Sequence, residues 1–133
     1  MRNLVITAVG ATALGLLLAP SYSADHTTDT LEMVKRAIGD DKAVLVDVRE
    51  KSEWDAGHLK DAKLLPLSTL KGGAKAEDVL KVVPKGKIVY LHCGSGVRCL
   101  QAADELKKLG YDVRPLKAGY KDLLKEGFSP AAP

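Results

Sequence analysis

The residues best suited to chemistry lie in one short segment, residues 87–99, which reads KIVYLHCGSGVRC. An apolar run ends at Cys93, a glycine-rich loop follows, and Arg98 stands where a helical pattern begins. A loop that curls over a helix start points several backbone N–H groups inward, and these donors favour an anion such as a thiolate. The glycines of the loop leave space for that curl. The segment therefore predicts a nucleophilic Cys93 with a lowered pKa.

The length of the loop limits the kind of group that it can bind at the cysteine. Cys93 and Arg98 are spaced as C-x4-R, whereas the wider C-x5-R loop suits a phosphate or arsenate oxyanion. The tighter loop suits a single sulfur atom bound to the cysteine, so a phosphatase or arsenate reductase is the weaker interpretation. We predict that the loop residues bind this sulfur: Gly94, Ser95, Gly96, Val97 and Arg98.

Further motifs surround the loop in a definite order. They are DVRE at 47–50, EW at 53–54, GHL at 57–59, the Cys93 loop and GY at 119–120. With these motifs the chain resembles the rhodanese family of sulfurtransferases, in particular its single-domain periplasmic members, from about residue 43 to 128. The resemblance implies a single rhodanese-like domain and transfer of sulfane sulfur through a persulfide. The donor would be thiosulfate or a persulfide, and the acceptor cyanide or a thiol.

One departure from the family bears on the donor. Many thiosulfate-using members carry Arg or Lys directly after the cysteine, and here that residue is Gly94. The change removes a cation that would help to hold the thiosulfate dianion. We expect Lys117, at the end of a later strand, to supply a positive charge instead.

Strands and helices alternate along the chain, which predicts an α/β fold with a mainly parallel central sheet flanked by helices. Ligands bind at the carboxyl ends of such strands. We therefore expect Arg49, Cys93, Arg98 and Lys117 to share one rim. The expected helices cover 30–38, 52–56 (capped by Ser52), 76–82, 97–109 and 119–126, and the expected strands 43–48, 63–67, 88–91 and 112–116, with a flexible loop at 71–73.

Other polar residues near this rim are assigned structural roles. A carboxylate and a guanidinium at a strand end, as in Asp47 and Arg49, brace neighbouring loops by charge-assisted hydrogen bonds. Direct contact of Arg49 with the substrate is the alternative. His92 precedes Cys93 on a strand and should point to the opposite face, and His58 should hydrogen-bond within its turn. The histidines and cysteines lack the spacing of a metal site, so we predict no metal, and no organic cofactor is required.

The second cysteine, Cys99, lies on an apolar helical stripe. The stripe recurs at i, i+3, i+4, i+7 and i+10, which predicts that Cys99 is a small buried residue beneath the loop. Two cysteines in an exported protein otherwise indicate a disulfide. A dithiol redox protein using Cys93 and Cys99 therefore stays open as an alternative, as does a non-catalytic sulfur carrier.

Residues 1–23 have the pattern of a secretory signal peptide. A charged start at Arg2 precedes an apolar run at 4–18, and small residues lead up to Ser23, where we place the cleavage. The run is shorter than the ~20 residues that a membrane span needs, which makes an uncleaved anchor the weaker alternative. We predict a rhodanese-like domain at 24–133, with a core at about 28–128 and a loose start at 24–28. The expected location is periplasmic, without stable membrane insertion after cleavage.

Composition limits the partners. The formal net charge is +3, acidic and basic residues are mixed, and aromatic residues make up 5% of the chain. Nucleic-acid binding is therefore not expected, because it requires a concentrated basic surface. The expected partners are small sulfur-containing substrates and a thiol or dithiol acceptor protein.

Overall fold

The computed structural model describes residues 24–133, so the predicted signal peptide lies outside the described residues. In the described part, helices and strands alternate around a four-stranded sheet. The helices are α1 (Leu31–Gly39), α2 (Lys51–Ala56), α3 (Leu67–Lys71), α4 (Ala76–Val82), α5 (Arg98–Lys108) and α6 (Tyr120–Lys125). The strands are β1 (Ala43–Asp47), β2 (Ala62–Leu64), β3 (Ile88–His92) and β4 (Asp112–Pro115).

The sheet confirms the predicted α/β architecture. Its order is β2-β1-β3-β4, and all three pairings are parallel. The central strands β1 and β3 are nearly continuous apolar runs, as expected for strands covered on both faces. Asp47 at the end of β1 pairs with His92 at the end of β3. The loops that follow these two strands therefore begin side by side.

Two apolar clusters cover the two faces of the sheet. Successive residues of a strand point into opposite clusters, so that Leu91 lies in one cluster and Tyr90 in the other. Cys93 belongs to the cluster of Leu91, together with Cys99 from α5. His92 points the other way, towards Asp47 and Tyr120, as the sequence predicted.

Three local predictions were wrong. Ser52 does not cap α2: the helix begins one residue earlier, and Glu53 accepts a hydrogen bond from the backbone N–H of Glu50 at 3.2 Å, as in a capping box. The strand predicted at 63–67 is confined to β2, and α3 begins at Leu67. This helix was missed because its five residues are too few to show a helical period.

The third error concerns the start of the described chain. Residues 24–28 were predicted to be loose, yet Ala24 is only 2% exposed and packs in the cluster that contains Cys93. The backbone N–H of Thr27 donates to the carbonyl of Pro115 at 2.8 Å, beside the end of β4. His26 reaches the Cys93 loop. These contacts hold the segment against the carboxyl end of the sheet.

Within residues 24–133, none of the helices combines the length and apolar character required to cross a membrane.

Candidate active site

Cys93 lies directly after β3, at the bottom of a loop that closes at the start of α5. It is fully buried, and the backbone N–H of Gly96 donates to its sulfur at 3.1 Å. A hydrogen bond from the Cys99 side chain, followed by the backbone N–H groups of Cys99, Gly96 and Ser95, lowers the pKa of Cys93 to about 5, although burial opposes the shift. At this pKa the group is a thiolate at neutral pH, and the thiolate is the nucleophilic form of cysteine.

Cys99 lies beneath the loop, as its apolar stripe predicted. Its sulfur is 3.0 Å from the carbonyl oxygen of Gly96 and 3.2 Å from that of Leu116. The hydrogen bond to Cys93 and burial both raise the pKa of Cys99, which therefore keeps its proton. No disulfide joins Cys93 and Cys99 in this structure.

The glycines of the site are required by close backbone approaches. Gly96 has a φ of +88°, and a Cβ there would lie 2.6 Å from the carbonyl oxygen of Lys117. A Cβ on Gly119 would lie 1.9 Å from the carbonyl oxygen of Gly94. The next residue, Tyr120, donates its backbone N–H to the carbonyl of Cys93 at 2.9 Å. The start of α6 thus packs directly on the loop, which explains the paired motifs at 93–98 and 119–120.

Arg98 connects the loop to α2. Its guanidinium donates two hydrogen bonds to Glu53, at 2.6 and 2.9 Å, and also lies against Gly94. This bidentate contact lowers the pKa of Glu53 to about 2 and raises the pKa of Arg98. Arg98 therefore fixes the outer side of the loop, and its charge is shared with a carboxylate.

Arg49 forms a buried ion pair beside the loop. Its guanidinium donates to Asp47 at 2.8–3.0 Å and to the carbonyl of Gly57 at 2.8 Å, and it lies 4.1 Å from the centre of the Tyr120 ring. Asp47 is fully buried and Arg49 is 5% exposed. The geometry is the loop brace predicted from sequence, while substrate contact by Arg49 stays a prediction.

Lys117 approaches the loop through its backbone, because its carbonyl packs against Gly96. The residue is exposed and lines a surface groove with Asp29 and Glu126. That its ammonium group supplies charge to the donor stays a prediction.

Two histidines near the site have structural positions. His92 is fully buried, its Nε2 lies 3.7 Å from a carboxylate oxygen of Asp47, and neither ring nitrogen has a hydrogen-bond partner among the described residues. Burial lowers the pKa of His92, so the ring is neutral. His58 stacks on Trp54 with ring centres 3.6 Å apart, and its Nδ1 lies 3.0 Å from the Trp54 carbonyl. His58 therefore has the predicted hydrogen-bonding role within its turn.

Sequence reasoning missed two residues of the site. Glu53 was recognised as part of a motif, but its pairing with Arg98 bridges 45 residues of chain. The Nε2 atom of His26 lies 2.6 Å from the carbonyl oxygen of Gly96, across 70 residues. No periodic pattern at 24–28 marks this contact. Across residues 24–133, no group of three or more His, Cys, Asp or Glu side chains is arranged to hold a metal ion.

Known proteins place these features in a family. The family model for the rhodanese-like domain matches residues 30–126. The uncharacterized protein YqhL of Bacillus subtilis is 34% identical over 122 residues, which cover 91% of this chain and 92% of that protein. The probable adenylyltransferase/sulfurtransferase MoeZ of Mycobacterium tuberculosis is 36% identical over 79 residues, covering 59% of this chain but only 19% of MoeZ.

Solved structures agree with the family match. The human single-domain sulfurtransferase TSTD1 superimposes with a TM-score of 0.62 at 25% identity, covering 72% of this chain and 93% of that one. The Saccharomyces cerevisiae single-domain sulfurtransferase RDL2 shares the fold, with a TM-score of 0.60 at 24% identity and coverage of 76% and 94%. By its family match, its relatives and its fold, this chain belongs to the rhodanese family of sulfurtransferase-like proteins.

Proposed function

We propose that the chain is a sulfurtransferase that moves a sulfane sulfur from thiosulfate or a persulfide donor to a thiophilic acceptor. The observation that carries this proposal is the geometry of Cys93, whose sulfur is fully buried and accepts a hydrogen bond from the N–H of Gly96 at 3.1 Å. This environment lowers the pKa of Cys93 to about 5. The similar proteins MoeZ and TSTD1 are named as sulfurtransferases, which supports the same reaction class.

The reaction has two half-steps. The Cys93 thiolate attacks the sulfane sulfur of the donor, a new S–S bond forms, and the donor's own S–S bond breaks. With thiosulfate the leaving group is sulfite, which takes the bonding electron pair, and Cys93 becomes a persulfide anion. The acceptor, for example cyanide, then attacks the outer sulfur and forms thiocyanate. The S–S bond at Cys93 breaks, and its electron pair returns to the Cys93 sulfur as the thiolate. This is covalent catalysis with a ping-pong order.

The loop supplies the electrostatic part of the proposed mechanism. Backbone N–H groups that hold the thiolate are preorganised to hold the negative outer sulfur of the persulfide as well. Gly94 and Ser95 are exposed at the mouth of the loop, whereas Cys93 is fully buried beneath them. A donor therefore reaches the sulfur by a small displacement of these residues, which favours donors whose sulfane sulfur is terminal and unhindered.

The choice of donor follows from the charges at the mouth. Gly94 has no side chain, and the charge of Arg98 is shared with Glu53. Both features weaken the attraction for a dianion, so we propose that a persulfide of lower charge is a better donor than thiosulfate.

A dithiol redox protein is the second candidate, and it is favoured by the hydrogen bond between Cys93 and Cys99. The raised pKa of Cys99 opposes it, because disulfide exchange requires the attacking sulfur to be a thiolate. Thiol titration after mild oxidation separates the two functions, since a sulfurtransferase retains both thiols.

Intact mass spectrometry tests the proposed function. The protein is measured before and after thiosulfate or glutathione persulfide, with Cys93→Ser as the control. We expect a gain of one sulfur that requires Cys93 and disappears with cyanide, and catalytic turnover distinguishes an enzyme from a carrier. Absence of any gain with both donors, together with a Cys93–Cys99 disulfide, would move the assignment to redox chemistry.

We further propose that the protein acts in the periplasm after removal of residues 1–23. The supporting observation is the signal-like pattern of these residues. Cell fractionation followed by intact mass measurement tests this proposal. A periplasmic protein that begins at Ala24 is the expected result, and a full-length protein in the cytoplasm would contradict it.

A further inference from the structure

Gly96 controls the environment of the Cys93 sulfur. Its backbone N–H donates to that sulfur at 3.1 Å, and its φ of +88° is one that glycine adopts readily but that other residues avoid. Glycine is also the residue with the most backbone freedom, so its own chemistry does not hold this N–H in place. The orientation of Gly96 must therefore be set by its neighbours.

His26 is one of these neighbours. Its Nε2 lies 2.6 Å from the carbonyl oxygen of Gly96. Because a carbonyl oxygen only accepts hydrogen bonds, Nε2 must carry a proton and donate. The donor is present in the neutral Nε2–H tautomer and also in the imidazolium, so protonation of His26 does not remove it.

The segment that carries His26 is itself held in place. Thr27 donates its backbone N–H to the Pro115 carbonyl at 2.8 Å, next to the end of β4. Ala24 is 2% exposed and packs in the same cluster as Cys93 and Cys99. His26 therefore donates its hydrogen bond from a fixed segment. Tertiary contacts hold this segment in place, and it belongs to no helix or strand.

The bond from His26 also affects the proton of Cys99. The Cys99 thiol has one proton and three nearby acceptors: the carbonyl of Gly96, the carbonyl of Leu116 and the Cys93 sulfur. A second donor on the Gly96 carbonyl satisfies that group independently of Cys99. The thiol proton is then available to the Cys93 thiolate.

We propose that His26 is a positioning residue of the sulfur-transfer site, which holds the Gly96 peptide so that its N–H, and the Cys99 thiol beneath it, face the Cys93 sulfur. The inference rests on the proposed function only in that Cys93 is the reactive thiol. His26 does not touch the reacting atoms; it acts through Gly96. The role belongs to the first residues of the described chain, outside the helices and strands of the fold.

The test is the pH dependence of Cys93 alkylation by iodoacetamide in the protein purified with its native N terminus. Peptide mass spectrometry assigns the adduct to Cys93 at each pH. The variants are His26→Ala and His26→Gln, whose side-chain amide retains an N–H donor. Thr28→Ala, an exposed position of the same segment, is the matched control.

In His26→Ala we expect the alkylation midpoint to rise by about one pH unit, which slows alkylation about tenfold at pH values below both midpoints. In His26→Gln we expect most of the shift to be reversed, and in Thr28→Ala no shift. An unchanged midpoint in His26→Ala would overturn the proposal, even if the melting temperature fell. Equal shifts in His26→Ala and Thr28→Ala would also overturn it, because they would assign the effect to packing of the whole segment.

The readout separates this proposal from the proposed function. Alkylation reports the ionisation of Cys93 and needs no sulfur donor. A shifted midpoint in His26→Ala, in a protein that takes up no sulfur from any donor, would support the positioning role and overturn the sulfurtransferase proposal. Sulfur uptake by the wild type, together with an unshifted alkylation midpoint in His26→Ala, would support the sulfurtransferase proposal and overturn the positioning role.

Discussion

Cys93 and Cys99 are both fully buried in one apolar cluster, yet their pKa values move in opposite directions. Cys93 accepts hydrogen bonds from the Cys99 side chain and from backbone N–H groups, including that of Gly96, and its pKa falls to about 5. The sulfur of Cys99 lies against the carbonyl oxygens of Gly96 and Leu116, and its pKa rises. The Cys93 sulfur thus accepts hydrogen bonds, whereas the Cys99 thiol donates them.

The difference shows that burial does not decide the charge of a thiol in this site. Burial alone raises the pKa of a cysteine, and it does so for both residues. The hydrogen bond between the two sulfurs, which Cys99 donates and Cys93 accepts, moves the two pKa values apart. The two cysteines also depend on each other, since the proton that Cys99 retains is the one that stabilises the Cys93 thiolate.

The largest expected effect comes from replacing each of the two cysteines with serine in turn. Cys93→Ser should abolish the gain of sulfur and lower turnover on the order of 10³-fold or more, because the nucleophile is lost. Cys99→Ser should keep the sulfur gain, because the hydroxyl still donates to Cys93. Intact and peptide mass spectrometry after incubation with a persulfide donor measures both. Sulfur found on Cys99 would invert the roles assigned here.

The second expected effect comes from the glycine between the two sulfurs. In Gly96→Ala the new Cβ meets the carbonyl of Lys117, so the peptide must turn and Cys93 loses a donor. We expect the midpoint of Cys93 alkylation to rise by about two pH units. Gly73→Ala is the matched control, because Gly73 has a similar φ of +86° but no atom within 4 Å of an added Cβ. It should cost about 1 kcal/mol of stability and leave the midpoint unchanged. Equal midpoints in the two variants would show that the Gly96 contact is irrelevant to the thiolate.

A smaller effect is expected from removing the hydrogen-bond donor of Cys99. Cys99→Ala should raise the midpoint of Cys93 alkylation by about one pH unit, because the first donor to the thiolate is lost. Cys99→Ser should stay close to the wild type, because a hydroxyl donates a stronger hydrogen bond than a thiol. The comparison of the two variants by pH-dependent alkylation isolates the donor from the packing. Identical midpoints in Cys99→Ala, Cys99→Ser and the wild type would refute the dependence of one sulfur on the other.

The smallest effect is expected at the outer side of the loop. Glu53→Gln leaves the Arg98 charge uncompensated, so the midpoint of Cys93 should fall by a few tenths of a unit and the KM for thiosulfate by about two- to threefold. Glu77→Gln, on the exposed face of α4, removes the same charge at another position and serves as the control. Steady-state kinetics with cyanide as acceptor measures the change. If both variants gave the wild-type KM, the pairing of Arg98 with Glu53 would have no influence on the donor.

Many features of the fold and of the site around the two cysteines could be predicted from the sequence. The loop of Cys93 and the buried stripe of Cys99 follow from local patterns, since each is defined by residues within one turn or helix. The order of strands and helices follows for the same reason. The site contacts that sequence analysis missed join distant segments of the chain: Glu53 binds Arg98, and His26 binds Gly96. The segment at 24–28 was predicted to be loose because nothing in its own sequence shows the groups that it contacts.

The pair of cysteines is expected to hold two different protonation states at neutral pH, with Cys93 a thiolate and Cys99 a thiol. The alkylation rates of both residues are measured in the wild-type protein, purified with its native N terminus, from pH 3.5 to 10, with peptide mass spectrometry to assign each adduct. We expect a midpoint of about 5 for Cys93 and no reaction at Cys99 while the protein is folded. A Cys93 midpoint near the ordinary thiol value, or equal reaction of the two cysteines, would contradict it.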